Sequence, residues 1–298
     1  MYKVTRRRVL GSMAALGGIY ALGLAAPKAA ASAEGNPLRR AVNSVLISEP
    51  VPTGLDLAKP VAKLVEAGAI DPGKFLAIYK GRGSVPEWVS LVLEGKQQEQ
   101  ELILSFENAP FNLNLLWPIG LATKAAFNDE SPIGGDSLPY FASTGGWTLG
   151  RENNGAAYFN KVETLSLSPE QSSLARRIAE NVFRPCCGNS AFFQDCNHGS
   201  AMLGIIEMAA SSGQDLTSIM KLAKVANGLW YPRTYVETAV YFDAIKGTSW
   251  EKVPADLVLS YKFSSIGGWQ KNVRSVLWDK GLRMRPGQGG GGGGGCAV

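Results

Sequence analysis

Three of the chain's four cysteines, Cys186, Cys187 and Cys196, and its only histidine, His198, fall within 13 consecutive positions of a 298-residue sequence. Thiolate sulphur and neutral imidazole nitrogen are the ligands that soft and borderline transition metals prefer. Three thiolates and one imidazole match a closed tetrahedral zinc site, and adjacent thiolates in a loop also suit Cu(I). The expected metal ligands are therefore Cys186, Cys187, Cys196 and His198, for a Cu or Zn ion. A blue-copper centre needs a second histidine, and the chain has none to give. Three further residues are candidates beside these four. Met202 lies four positions after His198, on the same face of a helix, where a thioether would favour Cu(I) or fill the core. Asp195 can orient His198 or cap the helix that follows. Cys296 ends a glycine run that gives it reach toward the site. Two other chemistries use the same residues. A disulfide can join Cys187 to Cys196 or the vicinal Cys186 and Cys187, and a nucleophilic cysteine can take His198 as its base.

The elements that must position this cluster are helical. Ser168-Pro169-Glu170-Gln171 is a helix start, with Ser at the N-cap, Pro in the first helical position and Gln at the third for a capping box. Leu174, Ile178 and Val182 follow at four-residue spacing, and Pro185 stops the helix. After a loop, Asn197 is placed to cap a second helix running through Met202, Leu203, Ile205 and Ile206 to Gly213. That helix is apolar nearly all round, so it belongs at the centre of the core. Its N-terminal partial charge would favour thiolate at Cys196 and neutral His198. Glu207 lies in the same apolar run and must be paired or face a pocket. Further helices are expected at about 215–227, capped by Gly228, at 234–246, capped by Gly247, near 254–261, and at 269–280, capped by Gly281.

The first half of the chain is less regular. Residues 34–53, with Pro37, Pro50 and Pro52, read as extended; 55–69 and 86–93 as short helices; 101–106 as a strand; and 111–127 as a buried helix interrupted by Pro118. Residues 128–166 are rich in turn signals and read as loops. Glycines 145, 146 and 150 do not form a dinucleotide fingerprint, and no Walker-type lysine follows them. The fold class expected is mostly α: a single helical domain over 34–286, with its helical core about 168–282, an irregular Gly-rich N-terminal half and a few short strands. Residues 287–298 read as a Gly-rich tail ending in Cys296-Ala-Val.

Thr5-Arg6-Arg7-Arg8-Val9-Leu10 resembles the twin-arginine export motif; an apolar stretch and the small-residue site Ala31-Ser32-Ala33 follow it. The resemblance implies a signal peptide over 1–33 and export of a folded protein to the periplasm or another extracytoplasmic space. The segment holds five of the 30 bases and none of the 25 acids, so the remainder is formally neutral. A nucleic-acid partner requires an electropositive surface, and the neutral balance offers no support for one, so none is expected. There is no second hydrophobic span, so no integral membrane protein is expected once the signal is removed.

Cys187-x-x-Ser190, then Cys196 with a histidine nearby, is similar to the ligand spacing of CDGSH-type iron–sulfur proteins. In this sequence the first two cysteines are adjacent and the histidine follows Cys196 by two positions. The resemblance implies an iron–sulfur cluster on three cysteines and one histidine. The function expected is transition-metal binding for extracytoplasmic metal handling or electron transfer, with a redox or metal-donor protein as partner. A thiol–disulfide or iron–sulfur redox protein, and a structural protein with a disulfide-stapled loop, are the alternatives. No residue is assigned a catalytic role.

Overall fold

A computed structural model describes residues 36–47, 49–144 and 149–282. The segment read as a signal peptide, the glycine tail and Cys296 lie outside the described residues. Two apolar helices cross at the centre: α5 (Ala109–Ala122) and α8 (Asn197–Ser211). Neither has a polar stripe, so neither can face water, and each buries nearly its whole surface. Their contact is backbone on backbone. A Cβ added to Gly120 would sit 1.9 Å from the Ser200 carbonyl oxygen, and one on Gly204 would sit 2.6 Å from the Leu116 carbonyl oxygen. Glycine at both positions is therefore a requirement of the crossing.

Around this pair stand α1 (Pro37–Val45), β1 (Val51–Asp56), α2 (Ala58–Glu66), α3 (Pro72–Ile78), α4 (Glu87–Leu93) and β2 (Glu101–Leu104) from the first half. The strands pair antiparallel, Val51 with Leu104 and Pro52 with Ile103, and the register shifts before Asp56 meets Glu101. Gly54, at φ 71°, lies within that irregular stretch. The short α6 (Leu138–Thr144) follows, then α7 (Pro169–Asn181), α9 (Leu216–Trp230) and α10 (Pro232–Lys246). The chain ends in α11 (Ala255–Leu259), α12 (Tyr261–Ser264) and α13 (Ile266–Trp269), a π-helical turn (Gln270–Arg274) and α14 (Ser275–Asp279). The protein is a mostly helical domain with one small sheet. Among the described residues no helix is long and apolar enough to cross a membrane.

Several expectations are corrected in detail. Residues 37–45 form a helix instead of an extended segment, because Asn36 accepts a hydrogen bond from the Leu38 amide and Pro37 occupies the first helical position. Leu55 belongs to β1 and the helix behind it starts at Ala58. The buried helix ends at Ala122, and 126–130 is a separate 3-10 turn. Within 128–166, α6 and two further 3-10 turns break what was read as loop. Gly228 does not end its helix: it faces Val45 and Tyr235 inside α9, which runs on to Trp230. The last helix begins at Ile266 and passes through the π turn.

The capping box at Ser168 is present in full: Gln171 N donates to Ser168 Oγ at 3.2 Å and Ser168 N to Gln171 Oε1 at 2.8 Å. Gly247, at φ 64°, closes α10 in the left-handed conformation expected of it. Two apolar cores result. The larger surrounds α5 and α8, and the smaller gathers α1, α10 and the C-terminal helices around Tyr235, Phe242, Phe263 and Trp269.

Candidate metal centre

The loop between α7 and α8 is held at both ends by the core. Val182 and Ala179 carbonyls accept from the Ala191 and Phe192 amides at 2.8 and 3.1 Å, folding the loop back on α7. On the other side, Phe183 N donates to Leu259 O at 2.8 Å and Ile266 N to Cys187 O at 2.9 Å, which fastens the cysteines to the C-terminal helices. Gln194 locks the far end, donating to Asn128 Oδ1 at 2.8 Å and accepting from Ser131 Oγ at 2.6 Å.

Arg184 fills the inside of the loop and is 1 % exposed. Its guanidinium donates to Cys196 Sγ at 3.3 Å, to the Phe193 carbonyl at 2.9 Å, and to the Ser190 carbonyl and the Asp195 carboxylate. One buried fork thus binds two loop carbonyls, a carboxylate and a candidate ligand sulphur. Gly199 makes this possible, since a Cβ there would stand 2.6 Å from Arg184 Cζ.

Over this base the ligand atoms converge. One donor atom each from Cys186, Cys196 and His198 lie within 4.8 Å of one another. Cys186 Sγ is 3.8 Å from Cys196 Sγ and 3.9 Å from Cys187 Sγ, so all three are thiols. Cys187 is outside the compact set of three; its sulphur accepts from the Asn189 amide at 3.4 Å. His198 lies against Tyr231, with ring centroids 4.7 Å apart, and edge-on to Trp230 at 6.1 Å. Its Nδ1 is buried with no hydrogen-bond partner among the described residues. The Tyr231 hydroxyl, beside Cys186, is likewise buried without a well-formed hydrogen bond.

The remaining candidates take other places. Asp195 neither orients His198 nor caps α8: its oxygens go to Arg184 and, at 3.0 Å, to Asn189 Nδ2. Capping falls to Cys196 and not to Asn197, the thiol sulphur accepting from the Gly199 amide at 3.5 Å. A thiolate is a good acceptor at a helix N-terminus, so the same atom serves as cap and as ligand. Met202 is fully buried in the larger core. Glu207 is also fully buried, without a well-formed hydrogen bond or a salt bridge among the described residues.

The charges follow from this arrangement. Burial works against the Arg184 cation, but Cys196, Asp195, Cys187 and Cys186 outweigh it and raise its pKa. The hydrogen bond from Cys186, opposed by burial and aided by Arg184, lowers Cys187 to about 7. Burial raises Asp195 despite Arg184, and raises Tyr231 well above the ordinary phenol, reinforced by Cys186 and Cys196. Burial likewise raises Glu207 well above the usual carboxylate range.

Comparison with family models, with curated proteins and with solved structures returns no match. The site therefore stands on its own geometry. Sequence reasoning missed Arg184, Gly199 and Tyr231. A glycine in the first turn of an otherwise buried helix was the available signal for Gly199. Arg184 is hidden among ordinary bases, and Tyr231 is brought in by α9 from 33 residues beyond His198.

Proposed function

We propose that the chain is an exported protein that binds one transition-metal ion through Cys186, Cys196 and His198, in extracytoplasmic metal handling. The observation that carries this reading is the convergence of three soft donors within 4.8 Å. Two thiolates on one tetrahedral ion with metal–sulphur bonds of about 2.3 Å stand about 3.8 Å apart. Cys186 and Cys196 stand 3.8 Å apart already. The buried, unpartnered Nδ1 of His198 fits a nitrogen that coordinates an ion, because an orphaned buried acceptor otherwise costs stability.

Charge favours Zn(II) over Cu(I). With Cys187 as the neutral thiol, two thiolates neutralise a divalent ion, and Arg184 with Asp195 is itself a neutral pair. A monovalent ion would leave one net negative charge in a largely buried site, which is costly. Zinc carries no redox chemistry, so metal handling is favoured over electron transfer. An iron–sulfur cluster is less suited, since two bridged irons would spread their ligands wider than this compact set. Export rests on the Arg6-Arg7 pair and the apolar stretch behind it.

Metal analysis with a thiol count on the purified mature protein tests the reading. The expected result is one zinc per chain, and four thiols after chelation and denaturation. Bound iron with acid-labile sulfide would mean a cluster instead, and two thiols without metal would mean a disulfide.

A further inference from the structure

Among the described residues three protein donors form the compact set, and a fully closed zinc site has four. The fourth position has a polar neighbour of its own. The Tyr231 hydroxyl is buried beside the Cys186 thiol, its ring tilted against His198, and makes no well-formed hydrogen bond among the described residues. A buried hydroxyl without a well-formed hydrogen bond is uncommon and fits a group absent from the protein chain. Cys187 is poorly placed to supply that group. Its sulphur neighbours Cys186 but lies outside the set, and its carbonyl is tied to Ile266 N at 2.9 Å, which fixes the turn that holds it there.

We infer that the metal centre is open: Cys186, Cys196 and His198 leave one coordination position for a small exogenous ligand, which the Tyr231 hydroxyl binds by a hydrogen bond. The inference rests on the metal-binding reading above. Its ligand class is water, hydroxide or a small anion, groups that both occupy an open zinc position and accept a hydrogen bond from a phenol. Three protein ligands plus an exchangeable position is the arrangement of zinc sites that polarise what they bind, in contrast to zinc sites that only brace a fold. Tyr231 is on this account a positioning residue for that ligand. No covalent step is implied.

Cobalt(II) substitution with azide as probe tests it. Cobalt's visible bands report coordination, and sulphur-to-metal charge transfer counts the thiolates. In the wild type, azide should shift the visible bands saturably at constant thiolate signal. Tyr231→Phe should bind cobalt in the same amount, with the same thiolate signal, and weaken azide by about 3- to 10-fold, as for loss of one hydrogen bond. Cys187→Ser should match wild type in all three readouts. The inference is overturned if azide leaves the wild-type spectrum unchanged, or if Tyr231→Phe binds azide as tightly as wild type. It is also overturned if Cys187→Ser loses a third of the thiolate signal, because Cys187 is then the fourth ligand, or if a tyrosinate band vanishes in Tyr231→Phe. Failure of the wild type to bind cobalt or zinc at all would instead remove the metal reading, and the open position with it.

Discussion

Arg184 does at one residue what the loop's own backbone cannot. The Ser190 and Phe193 carbonyls of the loop point inward, and the Arg184 guanidinium donates to both while holding Cys196 toward the site. A lysine has the charge but not the planar fork. Arg184→Lys should therefore destabilise the protein by about 3 kcal/mol, as for breaking a buried pair, and weaken metal binding as well. Chemical denaturation of the metal-free and metal-loaded forms checks both parts. Unchanged stability would show that the loop is ordered by something else. Glu207 makes the second prediction at this scale. Burial raises its pKa well above 4.5, so the native state holds a proton that the unfolded chain releases. Its contribution is fully present below the unfolded value and is lost as pH rises toward the folded one. The slope is about 1.4 kcal/mol per pH unit between those values. Glu207→Gln, which keeps the shape without the titration, should raise the melting temperature at pH 7–8 and lose that advantage near pH 4.5. An advantage independent of pH would contradict a buried, protonated Glu207.

At the scale of elements, α5 and α8 set the geometry on which the site depends. Gly120 and Gly204 bring the two backbones into contact, and Ser200, whose carbonyl touches Gly120, is two residues from His198. Gly120→Ala places a methyl 1.9 Å from that carbonyl, a clash with backbone that no rotamer relieves. We expect a loss of about 3 kcal/mol or more, or failure to fold, measured by thermal melting. Gly228→Ala is the control, since its Cβ would find ordinary contacts of 3.5 Å and beyond. Elements with local punctuation were legible in the sequence. The Ser168 capping box and the Gly247 cap both act within a few residues, and a short stretch of sequence contains their whole cause. The N-terminal helix was missed because Asn36-Pro37 is as good a cap as it is a breaker. The end of α9 was misplaced because Gly228 serves packing against Val45, which is remote in sequence. Within the site, Cys186, Cys196 and His198 were legible from residue type alone. Adjacent residues project differently, however, so the separate placement of Cys187 depends on the turn that Pro185 and Ile266 impose. Arg184 and Tyr231 enter through tertiary packing, which spacing does not encode.

For the whole molecule, backbone hydrogen bonds fasten the loop to α7 through Ala179 and Val182 and to the C-terminal helices through Ile266. An ion joining Cys186 to His198 would bridge the loop's entry to the start of α8, so loading should stabilise the fold as any native-state ligand does. The most direct test is a competitive zinc titration of reduced wild type and four single variants. Wild type should bind one zinc well below micromolar concentration. Cys186→Ser, Cys196→Ser and His198→Ala should each weaken it by about 100-fold or more, for loss of a ligand worth at least 2.7 kcal/mol. Cys187→Ser should stay within a few-fold of wild type. Micromolar or weaker binding by wild type, or equal affinity across all four variants, would contradict a metal centre at this site.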